Sequence, residues 1–224
     1  MDKQSKLIKL FSEAFEISAF DKSQKCRFFC EKKESCKVTN IDPKYPGAIG
    51  DDNTDIMLIA EAPSASGGYG AHNGGKIENI EENKKSPLYD LIDFIKNNYH
   101  TIPYFTDLIK CGVSKQKNKS KLRYRKKNCM EKFLMKEINI IKPKIIFCIG
   151  KSAYEALVDY QEKEKIDSYV QIKYLVHYSR QANFNLSIED KKEIIWKIQA
   201  GLIGKEQIKN RILELSYIKD ILSK

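Results

Sequence analysis

The stretch Asp55-Ile-Met-Leu-Ile-Ala60 decides the fold, and Glu61-Ala-Pro-Ser64 follows it directly. A continuous apolar run with acidic and turn residues before it predicts a strand that is buried on both faces, as in a parallel sheet. Ligands of such sheets bind beyond the carboxyl ends of the strands. The segment from Glu61 to Ser64 is therefore a candidate functional segment.

Further strands and helices alternate along the chain. Strands are predicted over residues 104–109, 144–149 and 174–177, and helices over about 3–18, 86–98, 129–141, from 151 onward and twice after Ser187. Such alternation is typical of a parallel sheet covered by helices. We therefore expect an α/β fold, with residues 1–224 forming a single three-layer α/β/α domain around a central, mainly parallel four-stranded sheet.

The charge balance favours a polyanionic partner. Forty Lys and Arg residues against 30 Asp and Glu residues give a formal net charge of +10, which indicates DNA or RNA as the first candidate. A general enrichment in Lys and Ile along the chain is the alternative explanation. The densest basic segment runs from Lys115 to Lys127, where we weigh a solvated loop against one that contacts phosphates and stacks Tyr124 on a base.

The cysteines indicate a metal site in a reducing compartment. The N-terminus lacks the pattern of a signal peptide, and no apolar run approaches the length of a membrane span. We therefore expect a cytoplasmic protein without a membrane partner, and a monomer. Six cysteines in that compartment are poor candidates for disulfides, so clustered ones indicate metal and isolated ones indicate core packing.

Three polar segments follow predicted strands. They are Glu61–Ser64, Asp107 with Lys110-Cys111, and His177-Tyr-Ser179. A parallel sheet brings the ends of its strands to one edge. Each segment taken alone has an ordinary structural explanation, such as a turn or a hydrogen-bonded side chain. Their order and spacing favour a shared site.

The same segments resemble the motifs of one enzyme family. Ala60-Glu-Ala-Pro-Ser64 resembles the Gly-Glu-Gly/Ala-Pro-Gly motif of the iron–sulfur branch of the uracil-DNA glycosylase superfamily, and Asp107-Leu-Ile-Lys-Cys111 resembles its Asn-Val-Val-Lys-Cys segment. Cys129 with Pro143–Ala153 resembles the family's next cysteine and its strand–Gly turn, and His177-Tyr-Ser179 resembles His-Pro-Ser. The resemblance spans about residues 25 to 185, in the family's order.

The resemblance implies a DNA glycosylase that flips a base out of the stack. Glu61 would stabilise the sugar cation or position water, and His177 would stabilise the departing base anion. The remaining implied contacts divide into two groups. The base would be bound by Asp107, Ala62, Pro63, Tyr69 and His72, and the DNA backbone or groove by Ser64, Ser179 and Arg180.

The resemblance also implies a 4Fe–4S cluster, which takes four thiolates. Cys111 and Cys129 match the family's second ligand pair. The family's first pair is Cys-x-x-Cys, whereas this chain offers Cys26, Cys30 and Cys36, of which Cys36 has about the family's distance from the Glu motif. Zinc is the alternative metal, because four cysteines satisfy it equally. Cys148, inside a predicted strand, is expected to be a core residue.

Departures from the family pattern bear on the substrate. In the family, an Asn at the position of Asp107 recognises uracil. As a carboxylate, Asp107 accepts hydrogen bonds and donates none, which suits the exocyclic amine of a cytosine-type base. A modified cytosine, such as the hypermodified bases of some viral genomes, is then the expected target, with an antiviral role. The glycine-rich segment from Gly67 to Gly75, with Tyr69 and His72, has two explanations: it leaves room for a substituent on the base, or it is a flexible surface loop. Tyr178, in place of the family's proline, puts the turn at His177 in doubt.

Other functions remain as alternatives. One is an ordinary uracil-DNA glycosylase in DNA repair. A second is a non-catalytic iron–sulfur nucleic-acid-binding module, which the changed Asn and Pro would favour and the retained Glu61 and His177 would not. A third is a zinc-stabilised nuclease. It would need a cluster of carboxylates to bind magnesium, and Glu61 with Asp107 supports such a cluster only weakly.

Overall fold

The central sheet of the protein consists of four parallel strands. The computed structural model describes residues 2–17, 24–26, 37–38, 51, 53–62, 87–110, 126–175, 196–197 and 200–202. The sheet comprises β4 (Ile56–Ala60), β5 (Tyr104–Asp107), β6 (Ile145–Ile149) and β7 (Gln171–Leu175). The strand order is β5-β4-β6-β7, and each neighbouring pair is parallel. This confirms the predicted sheet, with the quoted apolar run as an interior strand.

Helices cover both faces of the sheet. They are α1 (Lys3–Ala14), α2 (Pro87–Tyr99), α3 (residues 126–141) and α4 (Lys151–Glu162). One apolar cluster joins α1, α3 and α4 to one face of the sheet through Met57, Ile59 and Ile146. A second cluster joins α2 and the segment around Trp196 to the other face. The two clusters confirm the three-layer arrangement, because alternate residues of each strand point to opposite faces.

Helix α3 contains a π-helical turn. Its first residues, 126–129, and its last part, Met135–Ile141, are α-helical, whereas Met130–Leu134 forms a π-helix. The Met135 N–H donates to the carbonyl of Met130, five residues earlier. The helix ends at Lys142, which has a left-handed φ of 53° and directly precedes Pro143. The predicted helix over 129–141 is thus confirmed, with an earlier start.

A second, antiparallel sheet lies near the N-terminus. It comprises β1 (Phe15–Ile17), β2 (Gln24–Cys26) and β3 (Lys37–Val38). The predicted helix over 3–18 was wrong in its last part, because α1 ends at Ala14 and the next three residues pair with β2. Their Phe-Glu-Ile alternation suits a strand, and the interstrand bonds decide between the two conformations. Cys26 accordingly lies in strand β2.

The remaining boundaries differ by a few residues. Strand β5 ends at Asp107, two residues before the predicted end, and β7 starts at Gln171, three residues before its predicted start. Helix α4 begins directly after Gly150, as predicted. Gly150 has a φ of 87° and its N–H donates to the Leu175 carbonyl, so this turn requires a conformation that other residues rarely adopt. Of the two helices predicted after Ser187, only residues 196–197 and 200–202 lie in the described part.

Candidate active site

The polar residues collect where β4 and β5 end. In the register of these strands, Ala60 is opposite Asp107. The pairing then continues beyond the strands, because the Leu108 N–H donates to the Ala60 carbonyl at 2.9 Å and the Ile109 N–H donates to the Glu61 carbonyl at 3.0 Å. The backbone bearing Glu61 is thus fixed against the segment that follows Asp107, at the carboxyl edge of the sheet.

The Glu61 side chain is held by the start of α4. The Ser152 hydroxyl donates to Glu61 Oε1 at 2.5 Å. Lys126 Nζ in turn donates to Ser152 Oγ at 2.7 Å and to the Ser152 carbonyl at 3.0 Å. Three elements therefore meet here, since Glu61 follows β4, Ser152 lies in the first turn of α4 and Lys126 in the first described turn of α3. We call this arrangement the Lys126–Ser152–Glu61 relay.

Burial sets the electrostatics of the relay. Lys126 is partly buried, and this burial lowers the pKa of its ammonium group, while the negative charges of Glu61 and Glu155 partly offset the effect. Glu61 is also only partly buried, so its carboxylate is hydrogen-bonded on one side and still open to a ligand. Such a positioned carboxylate can stabilise positive charge or orient a water molecule.

Asp107 lies over the opposite face of the sheet edge. It is 4% exposed and level with Ala60, on the face covered by α2, whereas Glu61 contacts α4 on the other face. The two carboxylates thus flank the edge from two sides. Ala62 packs against the apolar cluster of α1, α3 and α4.

A sealed ion pair supports the backbone of Asp107. Lys110 Nζ donates to Glu137 Oε2 at 2.8 Å, to Thr106 Oγ1 at 2.5 Å and to the Asp107 carbonyl at 2.7 Å. The side chains of Lys110 and Glu137 are 5% and 0% exposed. All three ammonium protons have acceptors in this arrangement, which a lysine needs when it is removed from water. The ion pair therefore fixes the turn that carries Asp107.

Desolvation dominates the electrostatics of this pair. Burial raises the pKa of Glu137, and the nearby Lys110 ammonium and the Thr106 hydroxyl offset the effect only in part. Burial also raises the pKa of Tyr104, together with the negative charge of Glu137. Within the described part of the chain, Tyr104 Oη and Glu137 Oε1 have no hydrogen-bond partner.

The structure describes only part of the predicted site. It brings Glu61, Ala62 and Asp107 to one edge of the sheet, and it shows the backbone of Cys26 and the whole of Cys129. The other predicted residues lie outside the described part. These are Cys30, Cys36, Pro63, Ser64, Tyr69, His72, Cys111, His177, Ser179 and Arg180.

The two described cysteine side chains differ in their position. Cys129 is 5% exposed and lies in α3, one turn after Lys126. Cys148 is fully buried in the middle of β6, and burial raises the pKa of its thiol, so it is a core residue as predicted. Among the described side chains, no group of three or more His, Cys, Asp or Glu residues is arranged to hold a metal ion.

Sequence reasoning missed three residues of this region. Ser152 was recognised only as part of a turn, although a polar residue just after β6 would be expected near the end of the neighbouring strand β4. Lys126 was assigned to the basic linker, and the start of a helix there leaves no clear sequence signal. Glu137 sits at the position of a core residue within α3, where a buried charge contradicts the ordinary pattern.

These features define an α/β protein with an acidic, lysine-supported site at the carboxyl edge of a parallel sheet. The profile of the Uracil DNA glycosylase superfamily matches residues 47–199, and the chain belongs to this superfamily. Its members are DNA glycosylases, which implies DNA as the partner. No curated protein matches the chain. In the described part, none of the helices has the length and apolarity that a membrane crossing requires.

Proposed function

We propose that this protein is a DNA glycosylase that hydrolyses the N-glycosidic bond of a non-standard pyrimidine, and that its target is a modified cytosine. The observation that carries the proposal is the placement of two carboxylates, Glu61 and Asp107, on the two sides of the same sheet edge. One would act on the sugar and the other would read the base. The reaction leaves an abasic site in the DNA.

Glu61 has the properties that the sugar side of this reaction needs. Breaking the glycosidic bond develops positive charge on the sugar, and a carboxylate held in place stabilises that charge without reorganising. Its Oε1 atom is engaged by Ser152, which leaves Oε2 for the sugar or for the attacking water. That water supplies the hydroxyl group of the product, and the proton that it releases neutralises the departing base anion.

Asp107 supports a cytosine-type base. A carboxylate accepts hydrogen bonds and donates none. The exocyclic amine at position 4 of cytosine is therefore a favourable partner, whereas the carbonyl of uracil at that position is repelled. Because Asp107 is nearly buried, little water would screen this difference. Hydroxymethylated or glucosylated cytosines of viral DNA fit this reading, and an antiviral role would follow.

Several proposed contacts lie outside the described residues. We assign His177 to stabilising the base anion, and Ser64, Ser179 and Arg180 to the DNA. Pro63, Tyr69 and His72 complete the proposed base-binding residues. The roles of Tyr69 and His72 rest on the glycine-rich segment in which this chain departs from the family pattern, and the other roles rest on the motif resemblance. Variants of His177 test the most consequential of them.

A 4Fe–4S cluster is proposed as the cofactor, with Cys111, Cys129 and two of Cys26, Cys30 and Cys36 as ligands. Two observations fit this donor set. Cys129 is buried next to the candidate site, and Lys37, directly after Cys36, pairs with Lys25, directly before Cys26. The cluster would tie the N-terminal sheet to the central domain as a structural element. Zinc would satisfy the same thiolates.

Base excision from defined DNA tests the proposed function. The protein is incubated with duplexes containing cytosine, uracil, 5-hydroxymethylcytosine or its glucosylated form, and alkali then reveals abasic sites. We expect cleavage at a modified cytosine, and a fall in rate of about 10²-fold or more for Glu61→Gln or His177→Ala. Asp107→Asn should shift the preference toward uracil by roughly 10-fold or more, because the amide can also donate.

The other outcomes discriminate between the alternatives. Cleavage at uracil alone would identify an ordinary uracil-DNA glycosylase and overturn the reading of Asp107. Tight DNA binding without cleavage of any base would instead identify a non-catalytic nucleic-acid-binding module.

Metal analysis tests the cofactor. Protein purified without oxygen should contain about four iron atoms and four inorganic sulfides per chain, since a 4Fe–4S cluster is bound by four thiolates. Cys129→Ser should lose the cluster and its visible absorbance. Cys148→Ser is the matched control, because Cys148 is equally buried but lies in the middle of β6, and it should retain iron. Stoichiometric zinc in a colourless protein would overturn the assignment.

A further inference from the structure

The Lys126–Ser152–Glu61 relay connects three elements that are distant in the sequence. Glu61 and Ser152 are 91 residues apart, and their side chains meet at 2.5 Å. Ser152 Oγ accepts a hydrogen bond from Lys126 Nζ and donates its own proton to Glu61 Oε1. The hydroxyl thus has one donor and one acceptor, and its orientation is fixed by both.

We propose that Ser152 and Lys126 are positioning residues that hold the Glu61 carboxylate in the correct orientation for glycosidic cleavage. This inference rests on the proposed glycosylase function and gives a role to two residues, to which the motif resemblance assigns none. Ser152 acts directly on Glu61, and Lys126 acts through Ser152 and through its charge.

Charge and burial support this assignment. A hydrogen bond to an ionised acceptor is stronger than one between neutral groups, and a cation near a carboxylate favours the ionised form. The charged groups around Lys126 are Glu61 and Glu155, and Glu155 is itself 3.5 Å from the exposed Lys151 ammonium. Of the two carboxylates, Glu61 is the one joined to Lys126 by a shared hydroxyl.

The main chain at Glu61 is fixed, but the Glu61 side chain needs a further contact to fix its direction. Glu61 directly follows β4, and its carbonyl accepts from Ile109, so the main chain is fixed while the side chain still has freedom to rotate. Ser152 is likewise fixed, because it lies in the first turn of α4, directly after the Gly150 turn. The hydroxyl therefore determines the direction of the carboxylate from a rigid base.

The test compares Ser152→Ala, Ser152→Thr and Lys126→Met on the DNA base that the wild-type protein excises. Ser152→Ala should lower kcat by roughly 10- to 100-fold with little change in KM, since it removes a hydrogen bond to a charged group. Ser152→Thr retains the hydroxyl and should recover most of the rate. Ser168→Ala and Lys163→Met, both exposed and located at or beyond the end of α4 opposite to Ser152, are the matched controls.

The pH–rate profile separates positioning from a general loss of structure. In Ser152→Ala and Lys126→Met the rate should fall across the whole pH profile while circular dichroism shows a retained fold, because the carboxylate loses the donor that orients it or the lysine that holds this donor. A wild-type profile and rate in both variants would overturn the inference while leaving the glycosylase function intact.

A measurement without substrate keeps the two proposals distinguishable. With ¹³C-labelled glutamate, the Glu61 carboxyl resonance should change its chemical shift in Ser152→Ala relative to the wild-type protein, because Oε1 loses its hydrogen-bond donor. Identical chemical shifts would refute the positioning role even if the wild-type protein excised no base. The absence of excision would by itself count only against the proposed function.

Discussion

Two lysine–carboxylate arrangements lie near the end of β5 and β4, and they differ in how the charges meet. Lys110 contacts Glu137 directly, at 2.8 Å, with both side chains almost completely buried. Lys126 donates to the Ser152 hydroxyl, which in turn donates to Glu61. Both Lys126 and Glu61 are only partly buried. One arrangement is closed to water and to ligands, and the other keeps a carboxylate accessible.

The difference follows from the cost of removing charges from water. Two charges that are buried together must find their hydrogen-bond partners within the protein, and Lys110 donates to three acceptors there. A carboxylate that is to act on a substrate must keep an oxygen free, so it cannot be enclosed in the same way. The sealed pair therefore fixes the backbone of Asp107, whereas the relay holds the Glu61 side chain and leaves it partly exposed.

Breaking the sealed pair should have the largest effect. Lys110→Ala or Glu137→Ala leaves one charge buried without its partner, and we expect a loss of about 3–5 kcal/mol in the free energy of unfolding. Urea denaturation measures this loss. The control is Glu131→Ala, also on α3, whose exposed ion pair with Lys165 spans 3.9 Å and should contribute less than about 1 kcal/mol.

The double variant Lys110→Met/Glu137→Leu sharpens this prediction. Because both charges are removed together, it should be more stable than either single variant. If the double variant were as unstable as the single variants, or more so, the ion pair would stabilise the fold by more than the compensation of one buried charge by the other. Its excision rate should still fall, since the Asp107 carbonyl loses its donor.

The relay should show a smaller effect on stability, visible in its pH dependence. Burial lowers the pKa of Lys126 below the ordinary 10.5, so between the lowered pKa and 10.5 the unfolded chain binds more protons than the folded one. The stability of the wild-type protein relative to Lys126→Met should therefore rise with pH in that window. Denaturation at several alkaline pH values measures the slope.

Lys144 provides a control of opposite sign. Its ammonium bonds to Asp55 at 2.8 Å, and this bond raises its pKa. The stability of the wild-type protein relative to Lys144→Met should therefore fall as the pH rises through the raised pKa. Slopes of the same sign for Lys126 and Lys144 would contradict the different environments of the two lysines.

The sequence predicted the parts of the fold that depend on local patterns. The apolar run of β4, the alternation of strands with helices and the glycine before α4 were sufficient for the sheet and its layers. The edge of the sheet as the place for Glu61 and Asp107 followed from the same patterns, because parallel strands end together.

The parts that the sequence did not predict depend on contacts between distant segments. Strand β1 follows α1 without a breaking residue, and only its pairing with β2 distinguishes it from one more helical turn. The contacts of Lys126 with Ser152, and of Lys110 with Glu137, span 26 and 27 residues. Lysines are numerous in this chain, so no pattern marks Lys110, which is buried, or Lys126, which is partly buried.

The π-helical turn of α3 has a consequence for insertions and deletions. It separates the part of the helix with Lys126 and Cys129 from the part with Glu137. Each residue of an α-helix advances the direction of the side chains by about 100°. A single deletion in an α-helix would therefore turn its two parts by roughly that angle, but the π-helical turn holds one residue more than an α-helical turn, so a deletion within Met130–Leu134 should leave Lys126 and Cys129 close to their present directions relative to Glu137. This turn is thus a place at which α3 can lose a residue without rotating one side of the candidate site against the other.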